Sequence, residues 1–179
     1  MSPTPCSFSS MALGETLFAT AGFVRGWLLI EHQGAWKRDP LAAGFNPEVA
    51  AELARRSKLT GVKVLAIRRD FVEPPASSTS APRRIFVASG DPRDPWLVTT
   101  TVEAESEILE LVDLATVANG SGGVTKTGGV TKTGGTDRFE MVDDHLWLVC
   151  THAGRDACCG KFGRPVAAAL TKLRPGAVW

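Results

Sequence analysis

Two apolar hexapeptides, Gly-Trp-Leu-Leu-Ile-Glu at 26–31 and Val-Lys-Val-Leu-Ala-Ile at 62–67, bracket one well-punctuated helical segment. No other feature limits the topology so strongly. Their continuous apolar content reads as buried strands. Between them, Asn46 can cap a helix, Pro47 suits its first turn and Glu48 favours its positive end. The helix runs to about Lys58 with Val49 and Leu53 towards the core, Leu59 as a further candidate, and Gly61 as its stop. Strand, helix and strand in this span make a βαβ unit, so the two strands pair in parallel.

Residues 84–89 and 96–102 read as two more strands, joined by the turn-rich Gly-Asp-Pro-Arg-Asp-Pro. A second helix covers 104–117, with Ile108, Leu111 and Val112 on one side. Residues 1–22 read as an irregular lead-in and 71–82 as a Pro/Ser-rich loop. The β-α-β-β-β-α order over 23–118 is that of a thioredoxin-like α/β unit, an analogy that is silent on chemistry. Residues 119–137 differ in kind, because Gly-Gly-Val-Thr-Lys-Thr occurs at 122–127 and again at 128–133. Such a repeat cannot bury a core and reads as a flexible linker. It lacks the Gly-Lys-Ser/Thr of a phosphate loop.

After the linker the pattern restarts. A strand is expected at 145–150, a polar loop at 151–162 and a helix at 163–173 with Pro165 near its first turn. Residues 177–179 open another strand. Residues 138–179 therefore read as the start of a second, incomplete thioredoxin-like unit. The tryptophans at 27, 36, 96 and 147 read as core.

The charge balance excludes some partners. Twenty Lys/Arg against 19 Asp/Glu give a net charge of +1, without the basic excess or stripe of a nucleic-acid binder. The N-terminus has neither a basic nor an apolar signal region, and no apolar run could span a bilayer. The expectation is a cytoplasmic protein with no membrane or nucleic-acid partner.

Three of the four cysteines, Cys150, Cys158 and Cys159, fall within ten residues, and Cys6 stands apart as incidental. In a reducing compartment such clustering points to metal or redox chemistry rather than a disulfide framework. The expected strand delivers Cys150 to its C-terminal edge, and the loop returns Cys158 and Cys159 ahead of a helix. Open α/β sheets place ligands at such edges. Arg155, Arg164 and Lys161 would favour thiolates there.

The stretch 148–170, Leu-Val-Cys-Thr-His-Ala-Gly-Arg-Asp-Ala-Cys-Cys-Gly-Lys-Phe-Gly-Arg-Pro-Val-Ala-Ala-Ala-Leu, resembles the sucrase/ferredoxin-like family of thioredoxin-like [2Fe-2S] proteins. Residues 27–31, 34–36 and 64–69 are similar to that family's N-terminal part. The resemblance implies a [2Fe-2S] cluster held by Cys150 and Cys159, with two histidines further on and a protein redox partner. Mixed Cys/His ligation lowers the negative charge of the site and raises its potential. The family's His-x-Gly-Gly-His/Asp motif would begin a few residues after 177–179, so those ligands are expected beyond Trp179.

Plainer readings stand beside this one. Cys150 and Cys159 could be packed core thiols. Cys158 reads as a supporting thiol, because adjacent side chains rarely reach one metal. His152 could simply bond loop backbone, Arg155 and Asp156 could pair or cap, and His32 and His145 read as surface residues. A second hypothesis is thiol–disulfide or zinc chemistry at Cys150, Cys158, Cys159 and His152, although separated Cys-x2–4-Cys pairs are missing. A third is a non-catalytic, truncated interaction module. An electron carrier fits better than a stand-alone enzyme. Sucrose hydrolysis needs two carboxyl groups flanking the scissile bond, and Asp143, Asp144, Glu105, Glu107 and Glu110 show no spacing that specifies them.

Overall fold

A computed structural model describes residues 6–16, 22–32, 38–69, 82–120, 138–154 and 156–179. The tandem repeat, most of the 71–82 loop, Trp36 and Arg155 lie outside the described residues. The protein is mixed α/β. Its sheet has five strands in the order β2-β1-β3-β4-β5: β1 (Gly26–Glu31), β2 (Val62–Ile67), β3 (Arg83–Ser89), β4 (Leu97–Val102) and β5 (Glu140–Met141). The βαβ expectation holds, with β1 and β2 parallel and Leu28 opposite Val64. The remaining pairs are antiparallel.

The helix between β1 and β2, α3 (Pro47–Thr60), is set by its ends. The Asn46 side chain accepts from the backbone N–H groups of Glu48 and Val49 at 2.9 and 3.4 Å. Gly61 closes it at φ 74°, a left-handed conformation that costs glycine little. Leu59 is 71% exposed and is not a core residue. One short helix, α1 (Cys6–Ala12), precedes this unit, and another, α2 (Pro40–Gly44), lies inside it between β1 and α3. The lead-in is therefore partly helical rather than wholly irregular. Asp39 caps α2 by accepting from the N–H of Ala42 at 3.1 Å.

The helix expected over 104–117 is two helices, α4 (Glu105–Leu111) and α5 (Leu114–Ala118). Val112 is extended, and the Asp113 carboxylate accepts from Ala115 N–H and Thr116 Oγ1–H at 3.0 and 2.8 Å. A fresh cap at Asp113 outcompetes continuation of the first helix.

The alternation of strand side chains divides the core between two faces. Leu28, Ile30, Val64, Ile85 and Val87 join the main core with residues of α3, α4 and α5. Fully burying each such side chain stabilises by about 1.5–3 kcal/mol. Leu29, Ile67 and Phe86 point the other way and meet Trp179. The Trp179 ring meets Phe86 edge-on at 5.2 Å between centroids, and the Arg69 guanidinium lies over it at 4.4 Å. Residues 138–179 thus add β5 to the sheet and cover its second face. Trp96 is buried, but Trp147 is 43% exposed and does not belong to the core. His32, expected at the surface, is buried against Gly44 and Phe45. No helix among the described residues is long and apolar enough to cross a membrane.

Arg138 ties the start of this last segment to α4, its guanidinium donating to Glu107 at 2.6 Å. That bond, with donation from the Ala104 and Glu103 N–H groups, holds the Glu107 carboxyl below its usual range. A depressed folded pKa contributes stability above the unfolded value, which is lost as pH falls through the folded one. Arg138→Met should therefore raise the Glu107 pKa in an NMR titration and flatten the acid limb of stability below about pH 4.5. An unchanged Glu107 titration would contradict the contact.

Candidate functional site

The site is built from three backbone devices. Residues 147–149 and 177–179 run parallel, with Trp147 N–H donating to Ala177 O at 2.8 Å and Val149 N–H to Trp179 O at 3.0 Å. This short pairing ends at Cys150, which is exposed. The expected strand at 145–150 is thus an extended segment bridged to Val178 rather than a sheet strand.

Beyond it, Asp156 N–H donates to His152 O at 3.2 Å. The Asp156 carboxylate accepts from Cys158 N–H at 2.9 Å, and its carbonyl accepts from Cys159 N–H at 3.1 Å. Asp156 is therefore a helix cap, and Cys158 and Cys159 lie in a helical first turn rather than in a loop. The helix proceeds through a π turn, Cys159–Gly163, into α6 (Arg164–Leu173). Pro165 lacks the N–H that a regular α turn would use, and the helix is π-wound immediately before it.

Glycines allow the third device, a close approach of helix and loop. A Cβ on Gly163 would lie 2.0 Å from the Cys150 carbonyl oxygen, and one on Gly160 2.5 Å from Ala153 Cβ. Sequence reasoning did not single out these glycines. Their three-residue spacing ahead of Pro165 was the available signal.

The closure sets the Cys159 thiol near enough to the Cys150 and Cys158 thiols for both to disfavour its thiolate. None of the three is joined in a disulfide. Burial, followed by contact with the Cys150 and Cys158 thiols, pushes the Cys159 pKa up to about 12. Cys159 is thus a protected, protonated thiol and Cys150 an accessible one. Maleimide at neutral pH should label Cys150 well before Cys159, as read by mass spectrometry of partly labelled protein. Equal rates would contradict this arrangement.

The other expected site residues separate by role. Asp156 positions the helix start, Cys158 touches Cys159, and Arg164 is exposed at the start of α6. His152 is half-buried and shares with Cys150 the wall of a groove of about 810 Å³. The groove is also lined by β2 with Lys63, by Arg68 just after that strand, and by Arg38. Among the described residues, no three His, Cys, Asp or Glu side chains are grouped so as to hold a metal ion. The candidate glycosidase acids Glu105 and Glu107 are engaged by Arg83 and Arg138 at 2.7 and 2.6 Å. No protein-family model, curated protein or solved structure matches the chain.

Proposed function

We propose that the chain is a thioredoxin-like redox protein of the sucrase/ferredoxin-like kind, with Cys150 and Cys159 holding one iron of a [2Fe-2S] cluster. The observation that carries this reading is the closure of the helix start on the 150–153 segment, which sets Cys150 and Cys159 beside each other although they stand nine positions apart in sequence. Two thiolates on one iron suit the mixed-ligand clusters in which imidazoles serve the other iron. The resemblance assigns those imidazoles to a motif after Trp179. Such a cluster supplies one-electron transfer. The residues here bind and orient it: Asp156 fixes the helix turn carrying Cys159, and Gly163 lets the Cys150 backbone close on that turn. The same reading makes the protein a cytoplasmic electron carrier working with a protein partner.

Anaerobic reconstitution with iron and sulfide tests it, on protein that includes the histidine motif the resemblance expects. Wild type and Cys158→Ser should take up iron and inorganic sulfide in equal amounts, and Cys150→Ser and Cys159→Ser should take up neither. Iron-free, colourless wild type after reconstitution would sink the cluster reading.

The closeness of the two thiols also favours a second reading, thiol–disulfide exchange. Oxidation would join Cys150 Sγ to Cys159 Sγ, with two electrons and two protons passing to a disulfide-containing partner. Iron-free protein that reversibly forms this bond would support it.

A further inference from the structure

Helix α6 buries a narrow small-residue side and leaves its bulky apolar side uncovered. Ala167 is 3% exposed, whereas Phe162, Val166 and Leu173 are 43%, 50% and 74% exposed. With Ala169, also exposed, these residues recur at 162, 166, 169 and 173, the spacing of one helical face. Among the described residues, α6 packs against no strand or helix beyond the π turn before it. The α1 helix extends the patch, with Phe8 against Phe162 at 6.3 Å between centroids and Met11 77% exposed.

The charge along the helix itself has one sign. Residues 157–179 contain Lys161, Arg164, Lys172 and Arg174 and no Asp or Glu, in a chain whose overall charge is only +1. All four cations are exposed. An exposed apolar stripe with a basic rim marks an interaction surface for a negatively charged partner. A second copy presenting the same face would meet like charge. The helix also begins at Cys158 and Cys159, so whatever covers the stripe lies beside the thiol pair.

We propose that the exposed face of α6, extended by α1, docks an acidic electron-transfer protein. The proposal rests on the redox reading of Cys150 and Cys159 and names the chemistry of the partner that reading requires. The rim steers the encounter and the stripe supplies the contact, as suits the small, salt-sensitive interfaces of redox pairs.

Calorimetric titration of the full chain with a small acidic plant-type ferredoxin tests it. Binding should weaken about tenfold or more as ionic strength rises from ~0.01 M to ~0.15 M. Lys172→Glu/Arg174→Glu should abolish it, and Val166→Ser should weaken it about tenfold, with thermal unfolding confirming that both variants fold. Cys150→Ser should bind like wild type, so loss of redox chemistry and loss of docking are read separately. No binding at low ionic strength, or equal binding by the charge-reversed variant, would overturn the proposal. So would association only with phosphatidylserine vesicles, or self-association removed by Val166→Ser.

Discussion

Arg83→Met is expected to destabilise the protein by about 3 kcal/mol, the lower end of the cost of breaking a buried ion pair. Arg83 is 9% exposed, and its guanidinium donates to Glu105 at 2.7 Å and to Glu31 O at 3.1 Å. The same guanidinium lies 4.7 Å over the Phe45 ring. Glu105 in turn accepts from Asn46 N–H at 2.6 Å. One ion pair therefore links β3, the start of α3 and the start of α4, and removing the cation leaves a carboxylate with too few donors. Glu105→Gln alone should cost less, because the amide can still accept. The double variant should cost clearly less than the sum of the singles, since neither side is then left as an unpaired charge. Chemical denaturation of the four proteins checks this, and strict additivity would show that the two residues do not act as a pair.

Gly163→Ala should harm the site more than its size suggests. The added Cβ would lie 2.0 Å from the Cys150 carbonyl oxygen and 3.0 Å from its carbon, both backbone atoms that no rotamer change can move aside. The helix start and Cys150 must separate, at a cost of about 1–3 kcal/mol for overpacking. Melting temperature should fall by roughly 2–4 °C per kcal/mol lost. The thiol contact should open as well, so that Cys150 and Cys159 no longer oxidise to a common disulfide. Gly22→Ala, where nothing lies within 4 Å of an added Cβ, is the neutral control. A Gly163→Ala protein as stable as wild type, with the thiols still paired, would contradict the closure.

The sequence made the first half of the fold legible because its signals are local. The hexapeptides at 26–31 and 62–67 are apolar throughout, and Asn46 and Gly61 bound α3 by chemistry that needs no distant partner. Where a polar side chain competes with an apolar pattern, the pattern misled. Asp113 splits one expected helix into two, and Asp156 starts a helix inside an expected loop. Gly160 looks like a loop residue in sequence, yet it sits in the π turn that leads into the expected helix, and it and Gly163 lie tight against the 150–153 backbone. Trp147 and His32 exchanged their expected environments for tertiary reasons. Residues 147–149 pair with 177–179 instead of entering the sheet, and His32 closes over Gly44. The two-residue β5 is too short to show any period. Within the candidate site, Cys150 and Cys159 could be chosen from spacing and resemblance, but their contact depends on glycines that spacing alone does not reveal.

The central claim is that Cys150 and Cys159 together hold one iron of a one-electron centre, and an anaerobic reductive titration of the reconstituted protein, with the expected histidine motif present, tests it most directly. The account predicts one electron per chain for wild type and Cys158→Ser, and none for Cys150→Ser or Cys159→Ser. Uptake of two electrons with release of two thiols would move the chemistry to disulfide exchange, and electron uptake that survives loss of either cysteine would contradict the account.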